Sequence, residues 1–159
     1  MATNRLNGLV IRVDDRLIHG QILYGWIPSW KPVEVWLVDD LAAENQSEKS
    51  LYEEQLPGSI KGGVLKIRNA IERFAGPEPH QDRILLIVKS CEDLVKLIEG
   101  GVVPTEAHLG NIAQSGERKS VNDSIAIGNC EEELLRRLGK HGIEVVIRDL
   151  PNSHPQKPL

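Results

Sequence analysis

Short apolar runs recur along the chain, each closed by a polar or glycine-containing cluster. They are Leu9–Val13, Val33–Val38, Val64–Ile67, Ile84–Val88, Glu106–Leu109, Ser124–Ile127 and Ile143–Ile147. Ile84–Val88 is apolar at every position, the pattern of a strand covered on both faces. Between the runs lie stretches with helical spacing. Leu94, Leu97 and Ile98 recur at i, i+3 and i+4, and Leu134, Leu135 and Leu138 bury one side of a later segment. Strands alternating with helices predict a single-domain α/β fold over residues 1–159. Its mostly parallel central sheet has about seven strands, with right-handed crossovers and helices on both faces.

Punctuation residues place the helices. A first helix runs from about His19 to Gly25 or Trp26, with Pro28 and Pro32 marking its exit. Asp39 and Asp40 cap a helix from about Leu41 to Leu56 that stops at Pro57-Gly58; bounding a cleft at the strand end is their alternative role. A short strand follows at 64–67 and a short helix at 69–75. Ser90 with Asp93 starts the next helix and Gly100-Gly101 ends it; Asn129 with Glu132 starts the last and Gly142 closes it. Residues 1–8 read as a loose lead-in. Residues 151–159, with three prolines, read as a flexible tail.

Composition narrows the class. The chain has 159 residues, 40% hydrophobic and 26% charged, and a formal net charge of −4, which argues against non-specific nucleic-acid binding. No run of about 18 apolar residues is present, and Met1–Gly8 is too polar and short for a signal peptide. Cys91 and Cys130 form neither a C-x-x-C pair nor a metal-ligand cluster and fit a reducing compartment. A cytoplasmic protein is expected, without metal or other cofactor, whose membrane role, if any, comes through a partner.

The densest chemistry lies at the end of the first strand, in Arg12-Val13-Asp14-Asp15-Arg16-Leu17-Ile18-His19-Gly20-Gln21. Ligands collect at the carboxyl ends of strands in open α/β sheets, and helix N-termini favour anions. A neutral imidazole at His19 can attack an activated phosphoryl group. Arg16 is close enough to fork onto phosphoryl oxygens, and Arg12 adds a second positive charge. Asp14 and Asp15 would repel phosphate if they faced it. They more naturally hold an arginine, or accept the N–H of the imidazole nitrogen that does not react. Gly20 leaves the ring unobstructed and permits backbone angles other residues avoid. The plainer alternatives are a capping histidine and a solvated ion-pair cluster. Trp26 and Trp30 share a helix face, in the core or in a docking patch. A second polar loop, Gly110 to Lys119, is either a hairpin with solvated charges or a wall of the same pocket.

The run RVDDRLIHGQI resembles the signature of enzyme IIB components of the mannose/fructose/sorbose family of the bacterial sugar phosphotransferase system, R-[IV]-D-D-R-L-[IV]-H-G-Q-[VI], at every position from Arg12 to Ile22. Trp26, Glu99-Gly100-Gly101-Val102 and His141-Gly142-Ile143-Glu144-Val145 extend the resemblance. It implies that His19 is phosphorylated, at Nδ1, and that Arg16 stabilises transition-state charge. Asp14 and Asp15 would then shape the loop. The activity implied is that of a protein-N(pi)-phosphohistidine–sugar phosphotransferase. The phosphoryl group would come from a phosphorylated IIA partner and go to a sugar brought by membrane IIC and IID proteins. Arg12, Asp14, Asp15, Gly20, Gln21, Gly110, Asn111, Ser115 and Lys119 would line the phosphate site. Where the family carries G-G-x-x-x-x-x-G-[KR], Gly110 and Gly116 match, Asn111 replaces the second glycine, and Glu117 shifts the basic position to Arg118-Lys119. Two other readings stay open: a regulatory phospho-acceptor that transports no sugar, and a phosphate-binding domain whose histidine only hydrogen-bonds its ligand. A homo-oligomer also stays open.

Overall fold

A computed structural model describes residues 6–159, so most of the expected lead-in lies outside the described residues. Six parallel strands form the sheet: β1 (Leu9–Asp14), β2 (Glu34–Val38), β3 (Lys61–Leu65), β4 (Ile84–Val88), β5 (Glu106–Asn111) and, named in chain order, β8 (Val145–Ile147). Their spatial order is β3-β2-β4-β1-β5-β8, and the central pair β1 and β4 is buried at every residue. One face is covered by a π-helical segment (Gln21–Trp26), α1 (Ile27–Trp30), α2 (Asp40–Glu44) and α3 (Gln46–Gln55). The other carries α4 (Ile67–Phe74), α5 (Cys91–Glu99) and α6 (Asn129–Lys140).

This order fixes where the site sits. From β1 the chain passes β4 to reach β2, whereas from β4 it crosses β1 to reach β5. The connections leaving these two neighbours therefore diverge, opening a crevice at their carboxyl ends. The loop after β1 lies at that crevice.

The expected parallel sheet is present, with one strand relocated. Residues 124–127 do not join it: β7 (Ala126–Ile127) pairs antiparallel with β6 (Lys119–Ser120) in a separate two-stranded sheet. The segment still touches the end of β5 through one parallel bridge, with Ile112 N bonding the Ser124 carbonyl and Ala126 N the Ile112 carbonyl, each at 2.9 Å. β3 begins three residues before the expected Val64 because Gly62 packs directly on β2, where a Cβ would lie 1.9 Å from the Val35 carbonyl oxygen. α4 likewise begins at Ile67 rather than 69.

The expected helix over 41–56 is two helices, divided at Asn45, whose side chain accepts from Glu48 N at 3.0 Å. Asp39 caps α2, accepting from Ala42 N at 3.0 Å, while Asp40 reaches across to accept from Ile67 N at 2.8 Å. Ser90 caps α5 as expected, but Asn129 is the first residue of α6, not its cap; Gly128 holds that place without a side-chain acceptor. The last segment folds back instead of trailing away: Gln156 and Ile147 exchange backbone hydrogen bonds of 2.7 and 3.0 Å. Trp26 and Trp30 are buried edge to face, ring centres 6.0 Å apart, which settles their place in the core.

Candidate active site at the end of the first strand

A tight turn carries the chain out of β1. The Asp14 carbonyl accepts from Leu17 N at 3.0 Å, and Leu17 adopts a left-handed backbone, φ +63°. That conformation is costly for a residue with a Cβ and persists where the surroundings enforce it. Here burial of Leu17 and Ile18 against the π segment enforces it. The chain then winds as a π-helix, not the regular helix expected; Ile27 N bonds the Ile22 carbonyl five residues back. The helical path continues through Pro28, which falls at the start of α1, where a missing N–H is tolerated, and ends only at Trp30. Gly20 has ordinary helical angles, φ −53°, so conformational freedom is not its reason.

Asp14 is the hub. Its carboxylate, fully buried, accepts from Arg16 Nε (3.0 Å), Arg16 Nη2 (2.9 Å) and Arg16 N (3.1 Å), and Arg12 Nε lies 3.5 Å away. His19 Nε2 completes the set, 3.1 Å from Oδ2. Burial pushes the Asp14 pKa up, but hydrogen bonds from His19 and Arg16 and the charge of Arg12 outweigh it and hold the group at about 2. The carboxylate is therefore ionised at neutral pH and can only accept.

The other nitrogen of His19 completes the tautomer assignment. Nδ1 lies 3.2 Å from Gln21 N, which can only donate. A ring with an acceptor facing Nε2 and a donor facing Nδ1 carries its proton on Nε2 and a lone pair on Nδ1. The His19 side chain is 18% exposed, enough to present one edge to a partner.

Arg12 lies beneath this arrangement, fully buried. Two of its nitrogens donate to protein acceptors, Nη2 to Gln21 Oε1 at 3.0 Å and Nη1 to the Arg148 carbonyl, while buried Nε makes no hydrogen bond and faces Asp14 only as an ion pair; the guanidinium lies 5.2 Å from the centre of a Trp26 ring. Desolvation lowers its pKa to about 10, which leaves it cationic at neutral pH. Arg16 Nη2 shares the same Gln21 oxygen at 3.0 Å, so Gln21 bridges the two arginines. Gly110 makes room for Arg12; a Cβ there would lie 2.3 Å from the guanidinium carbon. Thus Arg12, Asp14, Gln21 and Gly110, expected to line the phosphate site, lie around or under the histidine as its support.

Asp15 points away from His19. Its oxygens accept from Asn111 Nδ2 at 2.6 Å and Ala113 N at 2.8 Å, tying the loop to the end of β5. The second loop is brought alongside only in part. Ser115 and Lys119 are exposed, and among the described residues neither side chain hydrogen-bonds or pairs with His19 or Arg16. Arg118 turns inward instead, bonding Glu131 and the Ala113 carbonyl (3.0 Å), and with Asp15 and Lys89 it lines a cleft of about 260 Å³.

Sequence reasoning missed His108, buried on β5 opposite Arg12, with Nε2 2.8 Å from Glu106 Oε1. It missed Arg148 as well. A polar residue inside an apolar run was the one trace of His108, and nothing local marks Arg148. Among the described residues no cluster of three or more His, Cys, Asp or Glu side chains is placed to hold a metal ion.

Comparison with known proteins gives a consistent picture. The chain is 26% identical over 148 residues to the fructose-specific EIIB component of Bacillus subtilis strain 168, covering 93% of this chain and 91% of that protein. It is 28% identical over 137 residues to the mannose-specific EIIAB component of Escherichia coli K12, covering 86% of this chain, and spans 42% of that relative's length. Among solved structures, an N-acetyl-galactosamine IIB component from Streptococcus pyogenes superposes with a TM-score of 0.81 at 28% identity, covering 92% of this chain and 91% of that one. The Escherichia coli N-acetylgalactosamine-specific IIB component 1 shares the fold, with a TM-score of 0.83 at 23% identity, covering 95% and 99%. Residues 9–158 match the family model of the phosphotransferase system's sorbose-subfamily IIB component, and the chain belongs to that branch of the mannose/fructose/sorbose IIB family.

Proposed function

We propose that this chain is a phosphoryl carrier between a phosphorylated IIA partner and a sugar, with His19 as the carrying residue. The observation that supports this reading best is the pairing of the two imidazole nitrogens, Nε2 on Asp14 and Nδ1 on the Gln21 amide. The Nδ1 lone pair attacks the phosphorus of the partner's phosphohistidine. An N–P bond forms as the donor's N–P bond breaks, its electron pair returning to the donor ring. With Nε2 protonated, the phosphorylated ring is cationic, and ionised Asp14 stabilises it from the buried side. A sugar hydroxyl then attacks the phosphorus and releases its proton to solvent or a base of the acceptor complex. His19 leaves as the neutral ring from which it started.

Arg16 is the clamp in this scheme. Its Nε and Nη2 are engaged by Asp14, while Nη1 has no hydrogen-bond partner among the described residues and the side chain is 40% exposed. Nη1 reaches for the phosphoryl oxygens as charge develops on them. The Gln21 N–H, displaced from Nδ1 by the incoming phosphorus, supplies a backbone donor at the helix start. Such transfers rest on positioning and charge stabilisation. No helix among the described residues is long and apolar enough to cross a membrane. In this reading the sugar is brought by membrane IIC and IID components, with this chain on their cytoplasmic side.

The test is a reconstituted relay of phosphoenolpyruvate, the two general phosphotransferase proteins and a cognate IIA, read as acid-labile phosphate by intact mass. Wild type gains one phosphoryl group, His19→Ala none, and Arg16→Ala gains it slowly. An unlabelled wild type beside a competent IIA rejects the carrier reading. Adding membranes that contain IIC and IID separates transport from regulation: sugar phosphate appears only if the group moves on.

A further inference from the structure

Three consecutive residues near the end of the chain hold the histidine loop from two strands away. The Arg148 carbonyl accepts from Arg12 Nη1, and the Asp149 carbonyl accepts from Trp26 Nε1 at 2.8 Å. Leu150 packs on Gly25 so closely that a Cβ there would lie 2.6 Å from Leu150 Cδ2. Arg12 in turn contacts Gln21, Asp14 and Trp26, and Gly25 and Trp26 end the π segment that begins at Gln21.

We infer that Arg148–Leu150 is a clasp that sets the orientation of His19, and that Arg148 is a positioning residue acting through it. Its bearing on phosphoryl transfer rests on the carrier reading above; its bearing on the His19 ring does not. The Arg148 side chain never reaches the site. It fastens the clasp, with Nε and Nη2 on Glu106 Oε1 at 3.1 and 2.8 Å and Nη1 on the Ser153 carbonyl at 2.7 Å. Leu150 N closes the turn on Ser153 Oγ at 3.0 Å. A planar guanidinium held at three points immobilises its own backbone, and that backbone carries the carbonyl facing Arg12. Without the fork, residues 148–150 gain freedom. Arg12, a buried cation, then loses an acceptor and draws more heavily on Gln21 Oε1, which it shares with Arg16. The Gln21 amide that faces Nδ1 shifts with that residue.

The experiment uses the full chain with Arg148→Ala, Arg148→Lys and Leu150→Ala. Nitrogen NMR reads the His19 tautomer, and transfer from phospho-IIA reads kcat and KM. In wild type the two ring nitrogens of neutral His19 resonate far apart, as one tautomer requires. In Arg148→Ala they move toward each other, and kcat falls by about tenfold or more, the scale of a misplaced reacting group, while KM for IIA is kept. Arg148→Lys, which keeps the charge but not the fork, lies between. Arg148→Ala that folds and keeps the wild-type tautomer overturns the clasp. Should Arg148→Ala not fold, Leu150→Ala decides: Leu150 is 39% exposed, so its truncation leaves the core intact. Converging shifts support the clasp, and unchanged shifts overturn it. A wild type that IIA never labels rejects the carrier reading, while the NMR arm still decides the clasp.

Discussion

His19 Nε2 and Asp14 Oδ2 lie 3.1 Å apart, and this contact determines which edge of the imidazole faces outward. The carboxylate is buried and also bound by two arginines, so it cannot rotate away or pick up a proton near neutral pH. Nε2 is thereby the proton-bearing nitrogen, and in the proposed carrier role Nδ1 is the nucleophile.

Asp14→Asn tests that relationship. An amide can present its N–H₂ to Nε2 and favour the opposite tautomer. Transfer to His19 falls by at least about 10²-fold, in line with other orienting carboxylates beside histidine. The mutant also leaves two arginines without their counter-charge, at a cost of about 3–5 kcal/mol in stability. Single-turnover labelling and urea denaturation read the two effects separately.

The pH dependence of stability follows from the same carboxylate. The folded-state pKa of Asp14, about 2, lies below the unfolded value of 3.8. Its contribution is fully present above about pH 4 and is lost as pH falls through about 2. The amount is of order 2 kcal/mol. Urea midpoints measured from pH 5 downward should show this loss in wild type and not in Asp14→Asn. Desolvation also lowers the pKa of His108, despite the opposing pull of Glu106. It therefore takes up its proton more readily when unfolded, so an earlier loss begins as pH drops below about 6.5, absent in a folded His108→Phe variant.

Gly110→Ala drives a methyl into the Arg12 guanidinium, which has no free volume to move into. A loss of about 1–3 kcal/mol is expected from overpacking, read as a lower urea midpoint at unchanged slope. Labelling of His19 slows with it, because Arg12 is displaced from Gln21 and Asp14.

Asn111→Gly restores the glycine usual in the family and removes the 2.6 Å bond to Asp15. The cost is about 1 kcal/mol for the lost hydrogen bond. Hydrogen exchange at Ala113 N, which bonds the other Asp15 oxygen, speeds up, while labelling of His19 changes little because Asp15 does not touch the ring.

The strand positions near the centre of the sheet and the core of the site are legible in the local sequence. Asp14, Arg16, His19 and Gln21 fall within eight residues, so a turn and the start of a helix suffice to bring them together, and residue type with spacing carries that information. β1 and β4 were legible for a similar reason: strands buried on both faces are apolar throughout. The remaining contacts depend on how the chain packs across the sheet. Arg12 reads in sequence as a second positive charge for the phosphoryl group and becomes a buried strut because β1 is flanked by β4 and β5 and roofed by Trp26. Lys119 reads as a neighbour of the histidine, but the hairpin of β6 and β7 turns Arg118 inward instead. Arg148 lies 136 residues from Arg12, and the two meet only because the crossovers set β8 beside β5 and β5 beside β1. Local spacing encodes contacts within a turn or two; contacts across the sheet depend on strand order, which hydrophobic periodicity does not record.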